Sequence, residues 1–447
     1  MIVMKFGGTS VESAAAMARV TGIVRERLAR KPVVVVSAMG RTTNKLLAIA
    51  HSAVSGQKDD AIRQLLELRD FHLRESNMER TVDEHFQELS ELVKGLAILG
   101  ELTPRSIDAI SSFGERLSSR IVTNYFQHHG LAAVHVDSRK LIVTDRRHTQ
   151  ASPLYPETSA RLAACIPQLA QTQVVVMGGF IGATEDGVTT TLGRGGSDFT
   201  AAIVGAGIGA EEIQIWTDVD GMLTADPTVM PGGHRVKVIS FEEAAELAYF
   251  GAKVLHPSTV LPAIDKNIPV LILNSHRPHV EGTRIVADDV HSTNVVKSIA
   301  CKKKIVVLNI RSTRMFMAHG FLRSIFEIFD RYETSVDMVS TSEISVSLTI
   351  DQGNHLTDIL RDLRQFSEVS VDENQAIICM VGENIRYAPG VAARVLRALG
   401  SINVRMVSQG ASALNLGFVV AGDDLPAAVK VLHEEFFREL DPAVFEA

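Results

Sequence analysis

Two glycine-rich stretches beside fixed charges are where this chain could do chemistry. Lys5-Phe6-Gly7-Gly8-Thr9-Ser10 directly follows four apolar residues. The glycines let backbone N–H groups approach an anion, and the lysine sets a positive charge beside them. The lysine precedes the glycines, so this is not a Walker A loop. Taken alone, the Gly-Gly pair reads equally as a tight turn. Thr189-Thr190-Thr191-Leu192-Gly193-Arg194-Gly195-Gly196-Ser197-Asp198 carries three glycines around an arginine, then Ser-Asp and an alanine-rich helix. Flexible backbone, a helix cap and a guanidinium fork suit capture of a carboxylate or phosphate. Read alone, a solvated surface loop competes with that function. Glu115, in Ser112-Phe113-Gly114-Glu115-Arg116, is either a ligand contact or an acid complementing a helix N-terminus. Histidine offers no competing chemistry: the fifteen are scattered without an HxxxH pair, and His256 before Pro257 reads as packing.

The elements around these residues suggest how they are positioned. Ile2-Val3-Met4, Val33 to Val36, Val174 to Met177, Ile213 to Trp216 and Val270 to Leu273 are continuous apolar runs ending in glycine or small polar residues. Such runs read as buried parallel strands of an α/β sandwich, with ligands gathering at their carboxyl ends. Residues 57–128 read as a charged helical insertion. From Ile305 a strand–helix–strand–strand pattern occurs twice. Ser335-Val336-Asp337-Met338-Val339-Ser340 overlays Asn403-Val404-Arg405-Met406-Val407-Ser408, and the preceding helices space Phe321, Ile325, Phe329 and Val391, Val395, Leu399 alike. Two copies are too few for a solenoid, so a pair of small α/β modules packed side by side is expected.

Composition sets outer limits. The chain has 447 residues, 46% hydrophobic and 22% charged, with a formal net charge of -7. That balance argues against a nucleic-acid or anionic-membrane surface. Lys302-Lys303-Lys304, the longest basic run, reads as a solvated strand edge. Cys165, Cys301 and Cys379 suggest neither a disulfide framework nor a metal site. No signal-peptide core or membrane-length apolar run is evident, so a cytoplasmic protein is expected.

Taken in order, KFGGTS at 5–10, SAMGRTTN at 37–44, GER at 114–116, GGFIGA at 178–183, TTTLGRGGSD at 189–198, WTDVDG at 216–221 and GAKVLHP at 251–257 resemble the aspartokinases. The resemblance spans the chain, and the C-terminal repeats look like that family's tandem ACT domains. The form most resembled is monofunctional and lysine-sensitive, with no fused homoserine dehydrogenase domain. The resemblance implies an amino-acid-kinase α/β/α sandwich with a mainly parallel sheet over 1–295. Two ferredoxin-like ACT domains would follow, at 305–375 and 376–447.

It also implies roles: ATP-dependent phosphorylation of the L-aspartate side-chain carboxylate with Mg2+, feedback inhibition by lysine, and a homodimer or tetramer assembled through the ACT domains. Lys5 and Gly8 would meet the transferring phosphoryl group, and Asp198 would order the catalytic charges. Ser37, Thr43, Glu115, Phe180, Arg194 and Ser197 would hold aspartate, with Arg194 on the α-carboxylate and Glu115 near the α-ammonium. Lys5, Gly7, Gly8, Thr217, Asp218 and Lys253 would contact ATP. Met315, Phe321, Leu322, Ser335, Asp337, Thr341 and Ser342 would form the effector site in the first ACT repeat. The second repeat has Arg405 where the first has Asp337, which disfavours a cationic ligand there. Two positions depart from the pattern, where an aromatic is expected near Leu223 and a basic residue at Thr228; the departure implies weaker ATP binding or compensation by another cation such as Lys253. Glutamate 5-kinase, acetylglutamate kinase and a non-catalytic amino-acid sensor are the competing readings.

Overall fold

The structure is a computed structural model that describes residues 1–251, 259–288, 290–312, 320–353 and 355–446. Backbone contacts divide the chain into two compact units. One is Met1–Met222 with Val254–Asp288; the other is Leu223–Lys253 with Asp289–Ala447. The span 1–295 read from sequence is therefore interrupted. The inserted segment is tied to the second unit by Ile299 N–H donating to Thr224 O at 2.9 Å and Ser298 Oγ donating to Leu223 O at 2.7 Å.

In the first unit the strands are β1 (Ile2–Phe6), β2 (Pro32–Val36), β3 (Ala133–Val136), β4 (Val174–Gly178), β5 (Ile181–Ala183), β6 (Thr189–Thr191) and β7 (Glu212–Thr217). The short β8 (Val238–Ser240) falls in the second unit, and β9 (Val270–Asn274) and β10 (Thr283–Val286) return to the first. The central order is β3-β4-β2-β1-β7-β9-β10, parallel as far as β9, with β10 antiparallel. Every residue of β2 and β4 is buried. This is why those strands read as unbroken β-branched runs rather than alternating ones. The sequence reading missed β3 and the β5–β6 hairpin, whose His135 and threonines dilute the apolar signal.

Helices flank the sheet: α1 (Ala14–Arg25), α2 (Thr42–Val54), α3 (Lys58–Ser76), α4 (Glu79–Leu99), α5 (Pro104–Ser111), α6 (Phe113–His128), α7 (Tyr155–Leu169) and α8 (Gly196–Ile208). The expected helical insertion is α3 to α6. It buries Leu65, Leu68, Val82, Phe86, Leu89, Val93 and Leu96 at three- and four-residue spacings, the stripe an amphipathic helix needs. Register decides what reaches the carboxyl edge. Phe6 pairs with both Val36 and Trp216, and Val36 pairs with Gly178, so Gly7, Ser37 and Gly179 emerge level with one another.

In the second unit, α9 (Phe241–Tyr249) opens with a capping box made by Ser240 and Glu243. Then come β11 (Ser298–Arg311), β12 (Val336–Thr341), β13 (Ser345–Asp351), β14 (Glu368–Val381), β15 (Met406–Gln409) and β16 (Asn415–Ala421). They form one antiparallel sheet in the order β12-β13-β11-β14-β16-β15. The expected repeats are present, but they share this sheet. β11 pairs with β13 through Ile305–Arg311 and with β14 along its length, while Gln375–Val381 of β14 pairs with β16. The Lys302-Lys303-Lys304 run does not open an edge strand, although Lys303 and Lys304 are exposed as expected. It lies inside β11, where the register with β14 shifts between Lys302 and Ile305 and Lys304 has a left-handed φ of 59°. Lys302 is paired with Asp337 and Asp351, which lie too far along the chain for local sequence to reveal.

Lys297, fully buried, sits 2.8 Å from Glu243 Oε1 and 3.0 Å from Oε2. Removing its ammonium would strand a buried carboxylate. Lys297→Ala is expected to destabilise this unit by about 3–5 kcal/mol, measured by urea unfolding; a loss below about 1 kcal/mol would contradict the pairing.

Candidate active site

An open cleft of about 320 Å3 at the carboxyl edge of the first unit's sheet brings together Lys5, Gly8, Ser37, Thr43, Glu115, Phe180, Arg194, Ser197 and Asp198. β1 delivers Lys5, and the turn after β2 delivers Ser37. The first turn of α6 carries Glu115, the turn after β4 carries Phe180, the loop into α8 carries Arg194, and the first turn of α8 carries Ser197 and Asp198.

These segments touch backbone to backbone, which explains the glycines. A Cβ on Gly8 would lie 2.7 Å from the carbonyl oxygens of Ala38 and Gly40, and one on Gly179 would lie 2.6 Å from Ser197 Cβ. No side chain fits there, so Gly8→Ala must displace a cleft wall. Gly195 caps α8 in a left-handed conformation, φ 72°, with no side-chain cap. Ser197 and Asp198 therefore lie inside the first turn rather than capping it, and they face the cleft near the positive end of the helix. Phe180 has φ 65°, a strained conformation costing about 1–3 kcal/mol for such a residue. It is held by its N–H on Thr200 Oγ1 at 2.9 Å and its carbonyl accepting from Leu192 N–H at 2.9 Å.

The charges are unevenly matched. Lys5 Nζ stands 2.7 Å from Asp198 Oδ1, both side chains mostly buried at 12% and 15% exposure. Asp198 Oδ1 receives no aligned hydrogen bond, so this contact is one of charge and distance. Arg194 is exposed on the glycine loop and has no ion pair among the described residues. Glu115 is 3% exposed. The Ala38 N–H donates to its Oε1 at 3.1 Å, and Oε2 has no hydrogen-bond partner. Burial pushes its carboxyl up to about 8, against the opposing pull of the Ala38 and Glu115 backbone amides. Among the described residues Glu115 makes no ion pair, so the cleft holds a carboxyl group with an unpartnered oxygen, a fit for an incoming ammonium.

Asp108 was not legible in the sequence. It is fully buried in α5 and accepts from Thr191 Oγ1 at 2.5 Å, from Thr149 N–H at 3.0 and 3.1 Å, and from His148 Nδ1 at 2.6 Å. It therefore ties β6 to the 145–150 loop. Thr149 O in turn lies 3.3 Å from where a Cβ on Gly193 would sit, at the base of the arginine loop. A lone acid in an amphipathic helix gives no local signal of that role.

Several expected nucleotide contacts are not among the cleft-lining residues. The Gly7 N–H donates to Trp216 O at 3.3 Å, and the Thr217 carbonyl accepts from Ser275 N–H at 2.8 Å and from its hydroxyl at 3.0 Å. Thr217 Oγ1 donates to Asp218 Oδ1 at 3.2 Å. Lys253, Met315 and His256 lie outside the described residues. In the second unit, Lys303 Nζ donates to Thr228 Oγ1 at 3.0 Å, so a cation stands where a basic residue was expected. Of the expected effector residues, Ser335, Thr341, Ser342 and Leu322 are exposed and Phe321 is half-buried. The Asp337 side chain is 2% exposed and already paired.

Comparison with known proteins adds the family. Residues 1–274 match the amino acid kinase family and residues 378–436 match an ACT domain. The chain is 39% identical to the chloroplastic aspartokinase 2 of Arabidopsis thaliana, over 98% of this chain and 85% of that one. The E. coli aspartokinase III structure in complex with aspartate and ADP superposes with a TM-score of 0.83 at 33% identity, covering 98% of this chain and 100% of that chain. The structure of the same enzyme in complex with lysine and aspartate gives 0.85 at 32% identity, with the same coverage. Such agreement over nearly the whole length, around a cleft with this inventory of charges, establishes that the chain belongs to the aspartokinases.

Proposed function

We propose that the first unit transfers the γ-phosphoryl group of ATP to the side-chain carboxylate of L-aspartate. The observation that carries this reading is one cleft gathering Lys5, Arg194 and the vacant Glu115 carboxyl. Arg194 takes the α-carboxylate of aspartate through its guanidinium fork, and Glu115 takes the α-ammonium. Ser37, Thr43, Phe180 and Ser197 shape the pocket around them. The side-chain carboxylate, ionised at neutral pH with a reference pKa of about 3.9, then points toward Lys5 and the start of α8. A carboxylate oxygen attacks the γ-phosphorus, the bond to the β–γ bridging oxygen breaks, and ADP departs. No proton is moved in that step.

What the chain supplies is alignment and positive charge: the Lys5 ammonium on the transferring group, held in place by Asp198, and backbone N–H groups at Gly8 and α8. Mg2+ arriving on the nucleotide phosphates would add to that charge, and Asp198 is the lining carboxylate beside Lys5 that suits a hard cation. Thr217, Asp218 and Lys253 remain the proposed further contacts for the nucleotide.

We further propose lysine feedback through the first ACT repeat, with Asp337 receiving the ammonium of lysine, in a cytoplasmic homo-oligomer. Support for the effector comes from the E. coli relative, whose structure includes lysine. Inhibition then requires tighter binding of lysine to a less active arrangement.

Lys5→Ala is expected to leave aspartate binding nearly intact and to lower kcat by at least about a hundredfold. A hydroxamate assay reporting kcat within a few-fold of wild type would remove the role given to Lys5. Glu115 makes a separate test. With burial holding its carboxyl neutral up to about pH 8, ammonium capture expels a proton. Aspartate affinity should therefore rise with pH until about 8, and binding at neutral pH should release a proton, giving calorimetric heats that depend on the buffer. Glu115→Gln should abolish the release and raise the aspartate KM. Buffer-independent heats in wild type would contradict the assignment.

A further inference from the structure

Asp337, the acid expected to greet an effector ammonium, is not vacant. Lys302 Nζ lies 2.7 Å from its Oδ1 and 2.8 Å from its Oδ2. The Tyr249 hydroxyl, at the end of α9, donates to Oδ1 at 3.2 Å. Three short contacts and 2% side-chain exposure close the carboxylate to any second ammonium.

The bulge in β11 directs Lys302 there. Its backbone register breaks immediately after Lys302, and a bulge re-aims the side chains beside it. Although burial works against its charge, Asp337 and Asp351 hold the Lys302 ammonium above its ordinary range, so it stays protonated at neutral pH. Asp351 Oδ2 is 3.0 Å from the same nitrogen, and that acid is 65% exposed. A displaced Lys302 therefore has a solvent-facing partner within reach, and leaving Asp337 does not leave it unpaired.

We propose that Lys302 is a tethered occupant of the effector's ammonium subsite. A free amino acid bearing a side-chain ammonium enters by exchange, displacing the Lys302 ammonium from Asp337 toward Asp351. This deepens the proposed lysine feedback and rests on Asp337 being the effector contact. Tethering fixes the strength of the competition, because an attached ammonium presents itself at a millimolar or higher effective concentration. Lys302 thereby sets the lysine concentration at which the site responds, and the arrangement favours ligands whose own ammonium can replace it. The second repeat has no equivalent: its corresponding residue, Arg405, contributes a cation itself and stands 3.5 Å from Asp372.

The test titrates lysine into the full-length enzyme by calorimetry and by inhibition of aspartate phosphorylation, in wild type, Lys302→Met, Lys302→Gln, Lys302→Arg and Asp337→Ala. Removing the tethered charge, in Met or Gln, is expected to tighten lysine binding by about tenfold or more. Arginine should not tighten it, and Asp337→Ala should abolish it. If Lys302→Met does not fold, Lys302→Gln, which removes the charge but keeps a hydrogen-bond donor, carries the comparison. Loss of inhibition in Asp337→Ala with unchanged or weaker lysine binding in the uncharged Lys302 variants overturns the exchange while leaving the effector site standing. Equal inhibition of wild type and Asp337→Ala removes the effector site itself.

Discussion

In the proposed reaction two negatively charged reactants meet in the first unit's cleft, and their repulsion is the constraint that the cleft answers. Two unit charges about 4 Å apart repel by about 4 kcal/mol at the effective dielectric near a protein surface. An ionised carboxylate approaching a polyphosphate meets several such pairs. It needs no base, since it is already the nucleophile; it needs fixed positive charge and close backbone donors. In the proposed site Lys5 and the amino end of α8 are the source of that charge, and the close contacts at Gly8 and Gly179 leave no space for side chains. The sheet register that brings Gly7, Ser37 and Gly179 level makes the arrangement rigid, because each sits one residue beyond a strand with a buried, hydrogen-bonded ladder.

The sequence made parts of this visible and hid others for identifiable reasons. Strands buried on both faces announce themselves as Val and Ile runs, so β1, β2, β4, β7 and β9 were legible. β3 and the β5–β6 hairpin are short or rich in histidine and threonine, and were not. Lys5, Arg194 and Asp198 stood out because glycines surround them, and Glu115 because its motif matched a family. Asp108 could not be seen: its partners Thr149 and Thr191 lie about forty and eighty residues away, and only folding brings them together. The same holds for Asp337. Its acidity was evident in the sequence, while the Lys302 that neutralises it lies 35 positions earlier in a run that resembles a solvated edge.

Long-range pairing also accounts for the division into units. Residues 223–251 look continuous with the kinase-like region, yet their hydrogen bonds and the buried Lys297–Glu243 pair join them to the second unit. The two repeats likewise look separable in sequence, but β11 and β14 run through both of them, so their strands form one sheet. Under the proposed exchange at the β11 bulge, these shared strands are the physical route by which an effector at one repeat would influence the other.

The most direct measurement of the central claim is the solvent deuterium isotope effect on a single turnover, followed by rapid quench with saturating aspartate, ATP and magnesium. If fixed charge alone brings the anions together and no proton moves during transfer, the effect on the chemical step is about 1. A normal effect of about 2 or more on that step would place proton transfer in the transition state and contradict the account.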